Sequence, residues 1–403
     1  MKLKSKFRFG VLLPAIFVCT HLVQAEYLLE PEFQHRFLVN DNRQLRLDDE
    51  TTVVGSLTSI GTRLTRSAET SKLVIDPRFR FVRYTKEETF ASEDASLLLE
   101  SEKYGERYFW GASISLRKDP TLTSELTDSG RLATNKNRYE ASISTNYSYS
   151  VYEQLRVFLN GAMSDVRYQD GLTVGLVDYE YYSIGGGVTY ALSELSRFTA
   201  SLSATKFHNP SISSSTRSGS VVFTLEHDFS SFVSGSIGIG QNRSQIESVQ
   251  SRAILLPGPR VGIENFRNES RDAGELINVS LNVDYPRLDV ELDFSRQFLP
   301  SSRGARSNRD EVNANFYYDV RPRLRFRLRG KYLIQVSEGG LVSDLDREYN
   351  SATGSLTWRL SKYWALDGMY TFRRQLFSSS SRAANSNEVS LTLRFGGYPF
   401  SLN

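Results

Sequence analysis

From Tyr139 to Phe395 the chain alternates apolar and polar residues in stretches of about ten, the length of a tilted strand that crosses hydrocarbon. Ile277, Val279, Leu281, Val283 and Tyr285 are separated by Asn278, Ser280, Asn282 and Asp284. After Pro286-Arg287 come Leu288, Val290, Leu292 and Phe294, alternating with Asp289, Glu291, Asp293 and Ser295. The same rule holds in Val312–Val320, Leu324–Val336, Ala352–Leu360, Trp364–Phe372 and Val389–Phe395. A period of two means strands with one apolar and one polar face. The N-terminal half repeats it less cleanly, through 139–149, 155–163, 182–190, 198–202, 221–225 and 233–239, with earlier strands near 31–40, 52–65, 72–84, 92–104 and 107–118. The count comes to about eighteen, with a range of 16–18.

The connections also alternate. Ser150–Glu153, Ser193–Leu195, Asp228–Ser231, Pro286-Arg287, Arg321–Arg323 and Ser361-Lys362 are tight turns. Between them lie longer polar stretches near 118–136, 169–178, 208–217, 243–273, 299–310, 337–348 and 376–386, all expected to be loops. Short turns on one side and long loops on the other define a transmembrane antiparallel up-and-down β-barrel, with turns in the periplasm and loops outside the cell. An even strand number puts both termini in the periplasm. Strands of a soluble sandwich usually run about five or six residues, too short for this pattern. Tyr139, Tyr182, Tyr190, Tyr285, Tyr332 and Trp364 stand at the ends of apolar faces, as interfacial girdles require.

The first 25 residues read differently. Lys2, Lys4, Lys6 and Arg8 precede the apolar run Val11–Val18, and Val23-Gln24-Ala25 supplies a cleavage site. This is expected to be a secretory signal peptide, with residues 26–403 forming the barrel. A lipoprotein signal at Cys19 fits less well, because Val18 is bulkier than the small residue such signals carry. Cleavage takes four cations from a formal +3, leaving −1, and removes the one Cys. The mature chain therefore lacks the basic surplus of a nucleic-acid binder and any thiol chemistry. No later stretch holds 18 consecutive apolar residues, so helical spans are excluded.

Chemistry is sparse. His35, His208 and His227 show no metal-ligand spacing, and neither a nucleophile elbow nor a phosphate loop occurs. No enzyme activity, metal or cofactor is expected. The polar strand faces carry more. By parity Arg325, Arg327, Arg329 and Lys331 form a ladder of like charges facing inward, joined by Arg78, Arg80, Arg117, Arg156, Arg359 and Arg394. Asp289, Glu291, Asp293, Asp367 and Glu140 oppose them in sign. Two readings stay open and are compatible: salt bridges across the lumen that hold the wall, or a transverse field that orients polar or anionic solutes. In the stretch 243–273 the apolar run Ala253-Ile254-Leu255-Leu256 should find cover, in the lumen or on a partner.

Several segments together resemble a known family. They are Leu29-Glu30-Pro31 with Phe33, Asn40-Asp41-Asn42, Asp76-Pro77 with the strand to Tyr84, and Arg138 with the strand to Tyr149. Tyr152-Glu153-Gln154-Leu155 and the closing Asn387–Phe395 complete the set. Over essentially the whole mature chain this resembles bacterial outer-membrane barrels associated with exopolysaccharide biosynthesis loci and grouped with β-barrel porins. The resemblance implies a channel in the outer membrane that helps export a polysaccharide, with outer-membrane lipid, the polymer and periplasmic secretion or assembly components as partners. A general or solute-selective diffusion porin is the alternative, and a scaffold or adhesin barrel a third; monomer and trimer both remain open. One departure stands out: Gly396–Asn403 follow Phe395, where such barrels commonly end on an aromatic.

Overall fold

The structure, a computed structural model, describes residues 25–48, 50–85, 90–121, 135–256, 260–300, 306–338, 346–378, 380–397 and 400–401. Apart from Ala25, the expected signal peptide lies outside them. Eighteen long strands follow in order: β1 Glu26–Asn40, β2 Val53–Ala68, β3 Ser71–Tyr84, β4 Ser92–Tyr104, β5 Tyr108–Pro120 and β6 Asn137–Ser150. Next come β7 Leu155–Tyr168, β8 Tyr179–Ala191, β9 Ser196–Asn209, β10 Ser214–Ser230, β11 Val233–Leu256 and β12 Arg260–Tyr285. The last six are β13 Leu288–Pro300, β14 Arg306–Arg321, β15 Leu324–Glu338, β16 Arg347–Arg359, β17 Trp364–Phe377 and β18 Ala383–Gly396.

Each strand pairs antiparallel with the next, and β1 pairs with β18 from Glu32↔Gly396 to Asn40↔Glu388. The sheet is therefore a closed barrel. Closure is what hydrocarbon demands, because an open edge would leave backbone N–H and C=O groups with no partner. The even count brings Glu26 and Gly396 to the end that carries the short turns. Beyond Phe395, β18 ends at Gly396, and a two-residue strand, β19 (Phe400–Ser401), pairs with Leu28 and Leu29 of β1.

Parity sorts the faces as the alternation requires. Tyr139, Tyr182, Tyr190, Tyr285, Tyr332 and Trp364 are all exposed on the outer surface, with Leu202, Phe223, Ile239, Leu328 and Leu391 between the two girdles. Inside, hydroxyls on neighbouring strands bond across the ladder: Ser113 with Ser144 at 2.8 Å, Ser203 with Ser220 at 2.6 Å and Ser236 with Ser280 at 2.7 Å. Polar side chains thus face water inside and apolar ones face lipid outside.

Two expected loops are instead strand. The stretch 208–217 shortens to a single 3-10 turn at Pro210–Ile212, with β10 starting at Ser214. The stretch 243–273 is a hairpin, paired without a break from Ile239↔Ile277 to Leu256↔Arg260. It extends beyond the wall, since β10 pairs with β11 only as far as Ser214↔Ser248. Ala253–Leu256 therefore lie in strand rather than in a plug-like loop. Their side chains and Pro257–Pro259 are outside what is described, so the cover expected for that apolar run is too.

Another segment does turn inward. Residues 41–48, between β1 and β2, fold under the rim at the loop end. Leu45 is buried against Leu333, Tyr349 and Ala384, which lie on the inner faces of β15, β16 and β18, and Leu47 packs beside it. Asn42 Nδ2 donates to the carbonyls of Arg46 (2.8 Å) and Asn385 (2.9 Å), and its Oδ1 accepts the Arg46 N–H at 2.9 Å. Leu45 is held at φ 49°, a left-handed conformation that a leucine adopts only when its surroundings hold it there. Arg43 reaches across to lie 4.9 Å over the Tyr84 ring. Tyr84 itself covers Gly55, where any Cβ would overlap its ring.

Candidate functional site: an arginine-lined lumen

A barrel of this strand number is wide enough to leave an aqueous channel rather than a packed core. In the half nearer the turns, the lumen opens into a cavity of about 880 Å³. Arg78, Arg80, Arg117, Arg325, Arg327, Arg359 and Arg394 line it, against Glu32, Asp94 and Asp119. Seven guanidinium groups from β3, β5, β15, β16 and β18 thus share one water-filled space.

Their partners divide them into two sets. Arg78 pairs with Asp76 at 2.7 Å and Glu32 at 3.2 Å, and Arg80 donates to Asp94 at 2.5 Å. Arg325 meets Asp319 with two nitrogens, at 2.6 and 2.7 Å, and Arg394 holds Asp367, which also accepts from Thr357. Among the described residues Arg117, Arg327 and Arg359 make no ion pair. The Arg327 guanidinium lies 4.7 Å over the Tyr317 ring, and its buried Nε has no hydrogen-bond acceptor. A planar cation with unspent donors at a water-filled wall is suited to bind a carboxylate, phosphate or sulfate.

The ladder on β15 shows the same division. Asp319 neutralises Arg325 at one end, and Glu311 takes Lys331 at 2.8 Å at the other. Arg327 and Arg329, between them, make no ion pair among the described residues. Two positions further, at Leu333 and Gln335, the inner face is buried. Leu333 meets the folded-in segment 41–48, and Gln335 accepts from Arg347 Nε at 3.1 Å. The cationic stretch is therefore confined to the turn-side half.

The remaining candidates are dispersed. Asp289, Glu291 and Asp293 face inward on β13, two strands from the ladder, with β14 between them. Glu291 accepts from Asn315 Nδ2 at 3.2 Å. Arg156 lies on β7, half the barrel away from β16, on a wall of serine, asparagine and glycine. Glu140 is held by Arg138 at 3.0 Å. Salt bridges expected across the lumen run instead along the wall, within a strand, between adjacent strands, or over one strand where Arg78 of β3 reaches Glu32 of β1 past Gly61 of β2, because the bore is too wide for side chains to span. The charges are still uneven round the wall: the inner faces of β13 and β4 are acidic, that of β15 is basic, and hydroxyls are frequent from β6 to β11.

Sequence reasoning missed Arg36, Arg63, Arg373 and the closing contact of the barrel. Buried Glu388 on β18 accepts from Asn40 Nδ2 of β1 at 3.1 Å and from Arg373 Nη1 of β17 at 3.2 Å. Parity alone would have turned each of these inward; only the register of β1 on β18 shows that they meet.

Closed strands, an outward apolar band and an aromatic girdle at each end define an outer-membrane β-barrel with a hydrated, charged lumen. No family model matches the chain, and no curated protein matches it. Among solved structures it is similar to OccAB3 of Acinetobacter baumannii, at 11% identity over 93% of this chain and 99% of that one, with a TM-score of 0.48. OccK2 (OpdF) of Pseudomonas aeruginosa in complex with glucuronate gives 10% identity over 94% and 98%, also at 0.48. The ferric-catecholate import receptor Fiu of E. coli K12 gives 8% over 91% and 81%, at the same TM-score. The fold and the site are defined by this chain's own strands and side chains.

Proposed function

We propose that this barrel is a diffusion channel of the outer membrane for small hydrophilic anions. The observation that carries the reading is the cavity where seven arginines face three carboxylates and three of the arginines make no ion pair among the described residues. Water fills such a space at the cost of holding cations close together, and a passing anion relieves that repulsion. The bound partners of the other arginines hold the wall in register and stop it from binding a solute too tightly to release.

Export of exopolysaccharide, implied by the sequence resemblance, makes a different demand. A polymer must thread the whole bore, whereas here the segment 41–48 crosses beneath the loop-side rim and packs on three strands. That arrangement supports the passage of small solutes. A clean deletion of the gene separates the two. Loss of the channel should slow entry of small organic anions and leave secreted polymer unchanged. Normal anion entry with polymer lost or trapped in the periplasm would overturn the reading in favour of export.

A further inference from the structure

The outer surface carries charges as well as the lumen, and several of them are paired. Arg83 holds Glu93 at 2.9 Å, Arg296 holds Asp310 at 2.7 Å, and Arg167 bonds Asp165 at 2.6 Å and Glu180 at 3.1 Å. Three outward cations on neighbouring strands differ. Lys206 of β9, Arg217 of β10 and Arg243 of β11 are exposed, and none makes an ion pair among the described residues.

Register places them together. Lys206 stands directly opposite Arg217, and Gly219, one outward position below Arg217, stands opposite Arg243. Like charges directly across a ladder repel, so the pair is set up for an anion that the protein itself does not supply. Arg271 of β12 stands opposite Gln245, but both bond Glu269, so it is already engaged. Glu275 lies on the same face opposite Gln241, nearer the membrane centre, and Glu247 lies opposite Ser215 on the loop side of Arg217. The three unpaired cations lie between these carboxylates.

Their height is as specific as their charge. From Gly219 to Phe229 the outward positions of β10 include Val221, Phe223 and Leu225, interrupted only by His227. Ten residues at about 3.3 Å each, tilted by about 40°, rise about 25 Å, the height of the apolar band. Arg217 is the next outward residue beyond that band, at the end that carries the loops. Beneath the cations Ala204 and Gly219 leave the surface hollow, and Ile184 flanks the resulting groove. A headgroup bound to the cations would have room for an acyl chain directly below it.

We infer that Lys206, Arg217 and Arg243 form an external seat for a phosphorylated lipid headgroup of the outer leaflet, with an acyl chain lying over Ala204 and Gly219. The seat stands apart from the lumen, so it can fail without touching the transport reading.

The test uses the full mature barrel in a neutral detergent and native mass spectrometry, with diphosphoryl lipid A, its dephosphorylated form and inorganic phosphate as probes. One diphosphoryl lipid should stay bound per barrel, and the dephosphorylated lipid about tenfold less well. The triple variant Lys206→Gln/Arg217→Gln/Arg243→Gln should lose that preference, while Arg83→Gln/Arg167→Gln, at paired outward cations, keeps it. Heat-modifiable electrophoretic migration reports folding of each variant, and the single change Arg217→Gln, with a smaller loss, stands in if the triple fails to fold. Equal retention of both lipids, or an unchanged preference in a folded variant, would overturn the seat. Displacement of the lipid by equimolar inorganic phosphate would also overturn it, reducing the cluster to a site for free phosphate.

Discussion

Replacing Arg327 by Glu changes one lumen wall by two charges without adding bulk to a packed region. Treated as a sphere, the cavity of about 880 Å³ has a radius of about 6 Å, so an ion on its axis passes about that far from the wall. At that distance in water two unit charges act on a monovalent ion with about 1.4 kcal/mol. Screening at 0.1 M salt reduces this to about 0.8 kcal/mol, because the Debye length is about 10 Å. Anion occupancy should fall, and cation occupancy rise, each by about three- to fourfold, so the permeability ratio moves about tenfold toward cations. The assay is the zero-current potential across a planar bilayer under a potassium chloride gradient. Arg83→Glu, on the outer surface, serves as the charge control. A shift of less than about twofold for Arg327→Glu, or an equal shift for the control, would refute the placement of Arg327 in the conducting path.

Three further outcomes follow from the same geometry. Leu328→Arg, one residue along but facing lipid, should destabilise the barrel by about 2–4 kcal/mol and reduce assembly, read as loss of heat-modifiable migration; normal assembly would mean that the β15 faces are inverted. Glu388→Ala leaves Asn40 and Arg373 without their shared acceptor at the β1–β18 seam and should cost about 3 kcal/mol, measured by urea unfolding in lipid vesicles; a loss under about 0.5 kcal/mol would remove the seam contact from the account of closure. Replacing Arg43–Leu47 by a glycine-serine linker should raise single-channel conductance, and unchanged conductance would show that segment 41–48 does not narrow the bore.

What alternation reveals is legible in the sequence, because a period of two assigns each side chain to a face. The six girdle aromatics and the ladder Arg325–Lys331 were readable for that reason. Parity says nothing of height or of neighbours. That Asp319 neutralises Arg325 while Arg327 faces Tyr317 depends on the pairing of β14 with β15, where Asp319 stands opposite Arg325 and Tyr317 opposite Arg327. The hairpin through 243–273 reads as loop in the sequence because strands that rise above the membrane have no lipid face, and so no alternation to betray them. His208–Arg217 looked like a loop for the same reason. The inward fold of 41–48 is signalled only by Leu45 and Leu47 in a polar stretch, a cue that gains meaning once Leu333, Tyr349 and Ala384 are seen to leave a surface for them.

The central claim is that the lumen favours small anions, and liposome swelling tests it most directly. Vesicles containing the mature barrel would be challenged with gluconate, glucose and glucosamine, solutes of similar size that are respectively anionic, neutral and cationic at pH 7. The expected order of entry is gluconate, then glucose, then glucosamine, with the differences shrinking as salt rises because the lumen field is screened. Equal rates for the three solutes, or glucosamine entering first, would contradict the claim.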